Sequence, residues 1–161
     1  MIPRLRVPLP LRVSRRVADV RARIARRRDG IGLLLRAAWL LPVRTLDLRL
    51  RGLRGAPDGH RVRRGTRPAA SGAPVGLARA KRLERAVALA ARYGVCRGTC
   101  LSRSLVLLDL MEREGLAGDL RIGVRVPGSV LEAHAWVQLG SVVLNDRDDV
   151  ERRYAPLRGQ A

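Results

Sequence analysis

Apolar positions recur at helical spacing through the first two thirds of the chain and alternate in the last third. In residues 14–29, Val17, Val20 and Ile24 share one helical face among arginines, with Ser14 where an N-cap belongs and Asp29-Gly30 at the end. Residues 31–41 are nearly all apolar and predict a second helix stopped by Pro42. Residues 43–53 read as helix, although Leu46, Leu48 and Leu50 also alternate as in a strand. Residues 55–74 mix Gly, Pro, Ser and Arg without periodicity, so 55–76 predicts a flexible linker or loop. It separates a basic helical segment, 1–54, from a second region, 77–161.

Residues 77–93 form the clearest long amphipathic pattern, with Leu83, Val87 and Ala90 on one face and Gly94 expected as a left-handed cap. After the loop VCRGT, a helix is predicted from Cys100 or Leu101 to Glu114, with Thr99 as N-cap and Gly115 as its end. The period then falls to two. DLRIGVRV, VLEAHAWVQL and SVVLND read as three strands of an antiparallel meander, turning at Pro127-Gly128 and Gly140. A short tail follows, anchored by Tyr154 and Leu157. These elements make an α+β fold.

At 161 residues and 47% apolar composition the chain can bury a core without metals or disulfides. The longest apolar stretch, 31–43, is broken by Arg36 and falls short of the roughly 20 residues a membrane span needs. Prolines and arginines interrupt the N-terminus where a secretory signal would be continuously apolar, so a cytoplasmic location is expected. The net charge of +19 is unevenly distributed: residues 1–95 carry 24 basic and 5 acidic side chains, residues 96–161 carry 9 of each. With four aromatic residues and no interleaved binding motif, neither nucleic acid nor a membrane is an expected partner.

Cys100 opens an apolar helix, where unpaired amides and the helix dipole favour a thiolate and can receive an oxyanion. A free Cys is equally often a small buried hydrophobe. His134 shifts that balance: mid-strand, on the same face as Trp136, it needs a partner for each ring nitrogen. In a hairpin pivoting on Gly140, facing residues sum to 280, which sets Asp146 opposite His134. Asp148 and Asp149 are rivals beyond the strand. Nucleophile, base and orienting acid then form a triad, Cys100, His134 and Asp146. Trp136 is a core or cleft-wall residue that could line a substrate cleft, and Arg103 a solvated or capping charge, with contact to a substrate carboxylate as the lesser alternative. A zinc site from Cys96, Cys100, His60 and His134 lacks paired ligand spacing, leaving Cys96 structural and His60 solvated. No phosphate-binding glycine loop is present in the sequence, and no cofactor is expected.

CLSRSLVLLDLMEREG, LRIGVRVPG, EAHAWVQLG and VVLNDRDDV resemble the lasso-peptide leader peptidases, which have a transglutaminase-like, papain-like cysteine-protease core. The likeness covers about residues 77–157, and the family's catalytic Cys, His and Asp match Cys100, His134 and Asp146. Gln138 departs from the Glu commonly found after His-Ala-Trp-Val. The resemblance implies removal of the leader from a ribosomally made precursor peptide before an ATP-dependent cyclase closes the macrolactam. Some members carry a fused leader-recognition domain, whose strand pattern residues 1–76 lack, so a separate leader-recognition protein is expected. Acyl transfer by the same triad, and a non-catalytic scaffold docking precursor and cyclase, are the alternatives.

Overall fold

The computed structural model describes residues 11–52 and 74–156, with side chains described from 29 to 52 and from 75 to 156. His60, Leu157 and most of the expected linker lie outside the described residues, as do the side chains of Val17, Val20 and Ile24. The chain divides into two compact units, Met1–Gly32 and Leu33–Ala161. The described part of the first is helical. The second begins inside the segment read as N-terminal and contains the sheet and the remaining helices.

The helices are α1 (Leu11–Arg51), α2 (Pro74–Tyr93), α3 (Cys100–Arg113) and α4 (Val150–Arg153). The strands are β1 (Asp119–Arg125), β2 (Glu132–Leu139), β3 (Val142–Val143) and β4 (Ala155–Pro156), in the antiparallel order β3-β2-β1-β4. This is the expected α+β class. The fourth strand comes from the tail, which pairs with β1 at Gly123 and Val124.

Helix α3 carries the core. Every residue from Ser104 to Met111 is buried, so the helix is apolar around most of its circumference and packs against both α2 and the sheet. Ala80, Leu83, Val87 and Ala90 of α2 meet it on one side, and Leu120, Ala135, Val137 and Leu139 of the sheet on the other. Fully burying each Leu or Val contributes about 1.5–3 kcal/mol.

Two sequence expectations are corrected here. Pro42 does not stop a helix: α1 runs through it as one helix, including residues 43–51, where a strand was the competing reading. Proline in a helix interior costs about 3 kcal/mol through a lost hydrogen bond and a clash with the preceding turn. Packing offsets that cost. Ala37 and Leu41 are buried in the core, and the Arg44 guanidinium forks onto Asp109 of α3 at 2.8 and 3.0 Å. Gly94 is not a left-handed cap, because it is absent from the glycines with positive φ. Its role is space, since a Cβ there would lie 2.4 Å from the Ala90 carbonyl oxygen.

Candidate active site

The loop before α3 is shaped by Gly98. Its φ is +62°, and a Cβ would lie 2.5 Å from Leu41 Cδ2 and 2.7 Å from Ser102 Oγ. Only glycine meets both demands. Helix α1 therefore bears directly on the loop that delivers Cys100. It also holds the loop at Cys96, whose thiol lies 3.7 Å from the Thr45 hydroxyl. Arg103 ties the same loop from the other side, donating to the Arg97 carbonyl at 2.9 Å and the Gly98 carbonyl at 3.4 Å. Arg103 thus braces the loop ahead of α3.

Thr99 caps α3 reciprocally: Ser102 N donates to Thr99 Oγ1 at 3.2 Å, and Thr99 N donates to Ser102 Oγ at 2.8 Å. Arg103 N closes the first helical turn on the Thr99 carbonyl. The amides of Cys100 and Leu101 lie ahead of that ladder and have no helical partner. No acidic residue stands in the first turn, so nothing there offsets the positive end of the dipole. Cys100 is half-buried at this end, with its side chain against the core.

One turn further along the same helix face, fully buried Ser104 ties α3 to the sheet. Its hydroxyl donates to the Ala135 carbonyl at 3.1 Å and accepts from Asn145 Nδ2 at 2.9 Å. Asn145 Oδ1 in turn accepts from Val137 N at 2.7 Å. Three hydrogen bonds, that of Ser104 to Ala135 buried and the two of Asn145 partly so, thus join the Cys100 helix, the residue after His134 and the residue before Asp146.

His134 Nε2 is in direct contact with Asp146 Oδ2. The expected register is not what achieves this. Gln138 faces Val143 and Leu139 faces Val142, one residue on from a Gly140 pivot, because a two-residue turn, Gly140-Ser141, connects the strands with Gly140 at φ +62°. β3 also ends at Val143, and Asp146 reaches the ring from a bend whose backbone Asn145 and Leu144 N, bonded to the Val137 carbonyl at 3.0 Å, hold against β2.

Asp146 Oδ1 accepts from Arg147 N at 2.6 Å and Arg153 Nη2 at 2.8 Å. Burial pushes this carboxyl up, but the Arg147 amide, His134 and Arg153 together outweigh it and hold the group below its ordinary value. Of the rival carboxylates, Asp149 pairs instead with Arg153 Nε at 3.3 Å.

The His134 ring stacks on Tyr154 at 4.9 Å between centroids, and Trp136 lies 6.2 Å away on the same face of β2. Trp136 is buried with Val143, Val150 and Tyr154, and forms the wall behind the ring. Gly123, paired with His134 across the strands, gives these rings their space, since a Cβ there would lie 2.9 Å from Trp136 Cη2 and 2.8 Å from Tyr154 Cβ.

Among the described residues, then, the structure brings His134 and Asp146 into contact, and it sets Cys100 one helical turn from Ser104, which bonds the strand beside His134. No hydrogen bond joins Cys100 to the His134 ring. Also among the described residues, no three His, Cys, Asp or Glu side chains cluster as a metal site, and no helix is long and apolar enough to cross a membrane. Ser104, Asn145, Arg153 and Tyr154 were not singled out by sequence reasoning as part of the site. A Ser four residues after Cys100 on an otherwise apolar face was the one available signal.

Comparison with curated proteins finds no match, and neither does comparison with solved structures. A family profile does match, over residues 37–159, taking in the C-terminal third of α1 as well as the helices and sheet that carry Cys100, His134 and Asp146. With well over half of its length covered, the chain belongs to the transglutaminase-like superfamily.

Proposed function

We propose that this chain is a cysteine peptidase that removes the leader from a ribosomally made lasso-peptide precursor, in the cytoplasm, before an ATP-dependent cyclase forms the macrolactam. The observation that carries the reading is the His134–Asp146 pair, held by the Ser104 network beside the helix that Cys100 opens. The superfamily supports cysteine chemistry, and the lasso-peptide assignment rests on the motif resemblance.

With Nε2 engaged by Asp146, Nδ1 is the nitrogen left to take the Cys100 thiol proton. The thiolate attacks the scissile carbonyl, and the Cys100 and Leu101 amides receive the oxyanion. His134 returns the proton to the leaving amine, which becomes the new N-terminus of the core peptide. The leader remains as a thioester on Cys100. Water, deprotonated by His134, then releases it. Asp146 fixes the tautomer throughout and stabilises the imidazolium. Trp136 contributes as the cleft wall on which the His134 ring is set. A separate leader-recognition protein supplies most of the precursor affinity.

Acyl transfer is the second reading, favoured by the superfamily itself, with an amine in place of water. Mass spectrometry of precursor incubated with the protein and a small primary amine separates the two. Free leader with a new carboxylate supports the peptidase. Leader carrying the added amine mass supports transfer, and intact precursor with either recognition protein present or absent contradicts both.

A further inference from the structure

Helix α1 is apolar on two opposite faces. Ala37 and Leu41 point into the core, while Leu35, Trp39, Val43, Leu46 and Leu50 line the outer face, between 46% exposed at Val43 and 74% at Leu50. Together they leave open on the order of 600 Å² of apolar surface, at the top of the range found for the largest patch of a lone soluble chain. The steps between them are four, four, three and four residues, the spacing by which a helix seats anchors in a groove of a partner. Trp39 is the only Trp outside the buried site, and it lies inside the row with exposed Arg36 and Arg49 at its flanks. An aromatic anchor with an arginine rim is the anatomy of a protein interface. The area is also close to the roughly 800 Å² that each side contributes to one of standard size.

Charge narrows the choice of occupant. Among the described residues, exposed Arg36 and Arg49 flank this face and Asp47 is already held by Arg44 and Arg51, so a second copy packed along the same face would set like charges together. A complementary partner presents an apolar groove rimmed by carboxylates. The inner side of this helix touches Gly98 through Leu41 and Cys96 through Thr45, so a partner on the outer side is separated from the nucleophile loop by the thickness of one helix.

We infer that the outer face of α1, centred on Trp39, Val43 and Leu46, is the docking surface for an acidic-rimmed groove on the separate leader-recognition protein. This rests on the proposed function for the identity of the partner.

The test titrates the recognition protein into the full chain, reading Trp39 fluorescence and, independently, calorimetric heat, for the wild type, Leu46→Glu and Leu50→Glu. Cleavage of a leaderless peptide spanning the scissile bond is measured alongside. Wild type should bind with a blue shift of Trp39 emission. Each Glu variant should bind about 30-fold more weakly or worse, a hot-spot loss, while cleaving the leaderless peptide at the wild-type rate. Equal binding by wild type and both variants overturns the inference and leaves the peptidase reading intact. No binding by wild type, with full-length precursor cleaved at the same rate with or without the recognition protein, overturns the partner assignment itself. A concentration-dependent dimer that Leu46→Glu dissolves assigns the face to a second copy. Co-sedimentation with phosphatidylglycerol vesicles that Leu46→Glu abolishes assigns it to lipid. Either result overturns the proposal.

Discussion

Ser104→Ala removes one oxygen from a fully buried position between α3 and β2. That oxygen gives a hydrogen bond to the Ala135 carbonyl and takes one from Asn145 Nδ2, at 3.1 and 2.9 Å. Alanine fits the space but leaves the buried Ala135 carbonyl and the half-buried Asn145 amide without this partner. The carbonyl costs about 1–3 kcal/mol and the half-buried amide less, so the loss is about 1–4 kcal/mol, a large part of the stability of a domain this size. Urea unfolding of the full chain reads it as a lower midpoint at unchanged slope. Activity should fall as well, because Asn145 positions the bend that carries Asp146. The loss should appear in kcat more than in KM, since the substrate cleft keeps its walls. A destabilisation below about 0.5 kcal/mol, inside the range of an ordinary surface change, would refute the claim that this hydroxyl joins the helix to the sheet.

Asp146→Asn keeps the shape and the Arg147 contact but turns an NH2 toward His134, so Nε2 must accept and the proton moves to Nδ1. The cleavage rate should fall by about 10²–10⁴-fold, and a rate within threefold of wild type would move the orienting role elsewhere. Arg153→Gln removes a cation bonded to Asp146, so the carboxyl should titrate higher and the acid limb of the activity profile should shift to higher pH. The sign for stability follows from the same group. Its value is depressed in the fold, so its contribution is fully present above the ordinary 3.8 and fades as pH falls through the lower folded value; Arg153→Gln should bring acid unfolding to higher pH. Gly98→Ala should destabilise by about 1–2 kcal/mol from its φ alone, and more from the collision with Leu41. Combined with Leu41→Ala, its cost should shrink, and strict additivity in thermal melts would show that the two residues do not touch.

The features legible in the sequence were those written locally. Thr99, the leucine spacing and Gly115 mark α3 because a cap, a period and a stop coincide there. The change of period after Gly118 marks the sheet. Helix α1 is not legible as one element, because Pro42 is a stop signal by propensity and the packing that overrides it depends on Ala37, Leu41 and the distant Asp109. Leu46, Leu48 and Leu50 mimic a strand because the helix is apolar on two faces, which erases the helical period. At the site, His134 and Asp146 could be paired from sequence, but the register could not, since it turns on a two-residue hairpin loop and an early end to β3. Ser104 and Arg153 stayed hidden for another reason. A buried Ser and a partnered Arg differ from solvated ones only through contacts 31 and 7 residues away in the chain.

The proposed chemistry stands on Cys100, and not Cys96, as the nucleophile. Its most direct measurement is the cleavage rate of full-length precursor, with recognition protein present, by wild type, Cys100→Ala and Cys96→Ala side by side. Cys96 contacts Thr45 of α1 and stands outside α3, whereas Cys100 has the first-turn amides. Cys100→Ala should not cleave, and Cys96→Ala should cleave at near the wild-type rate. Cleavage that survives in Cys100→Ala, or is lost equally in both variants, would contradict that role for Cys100.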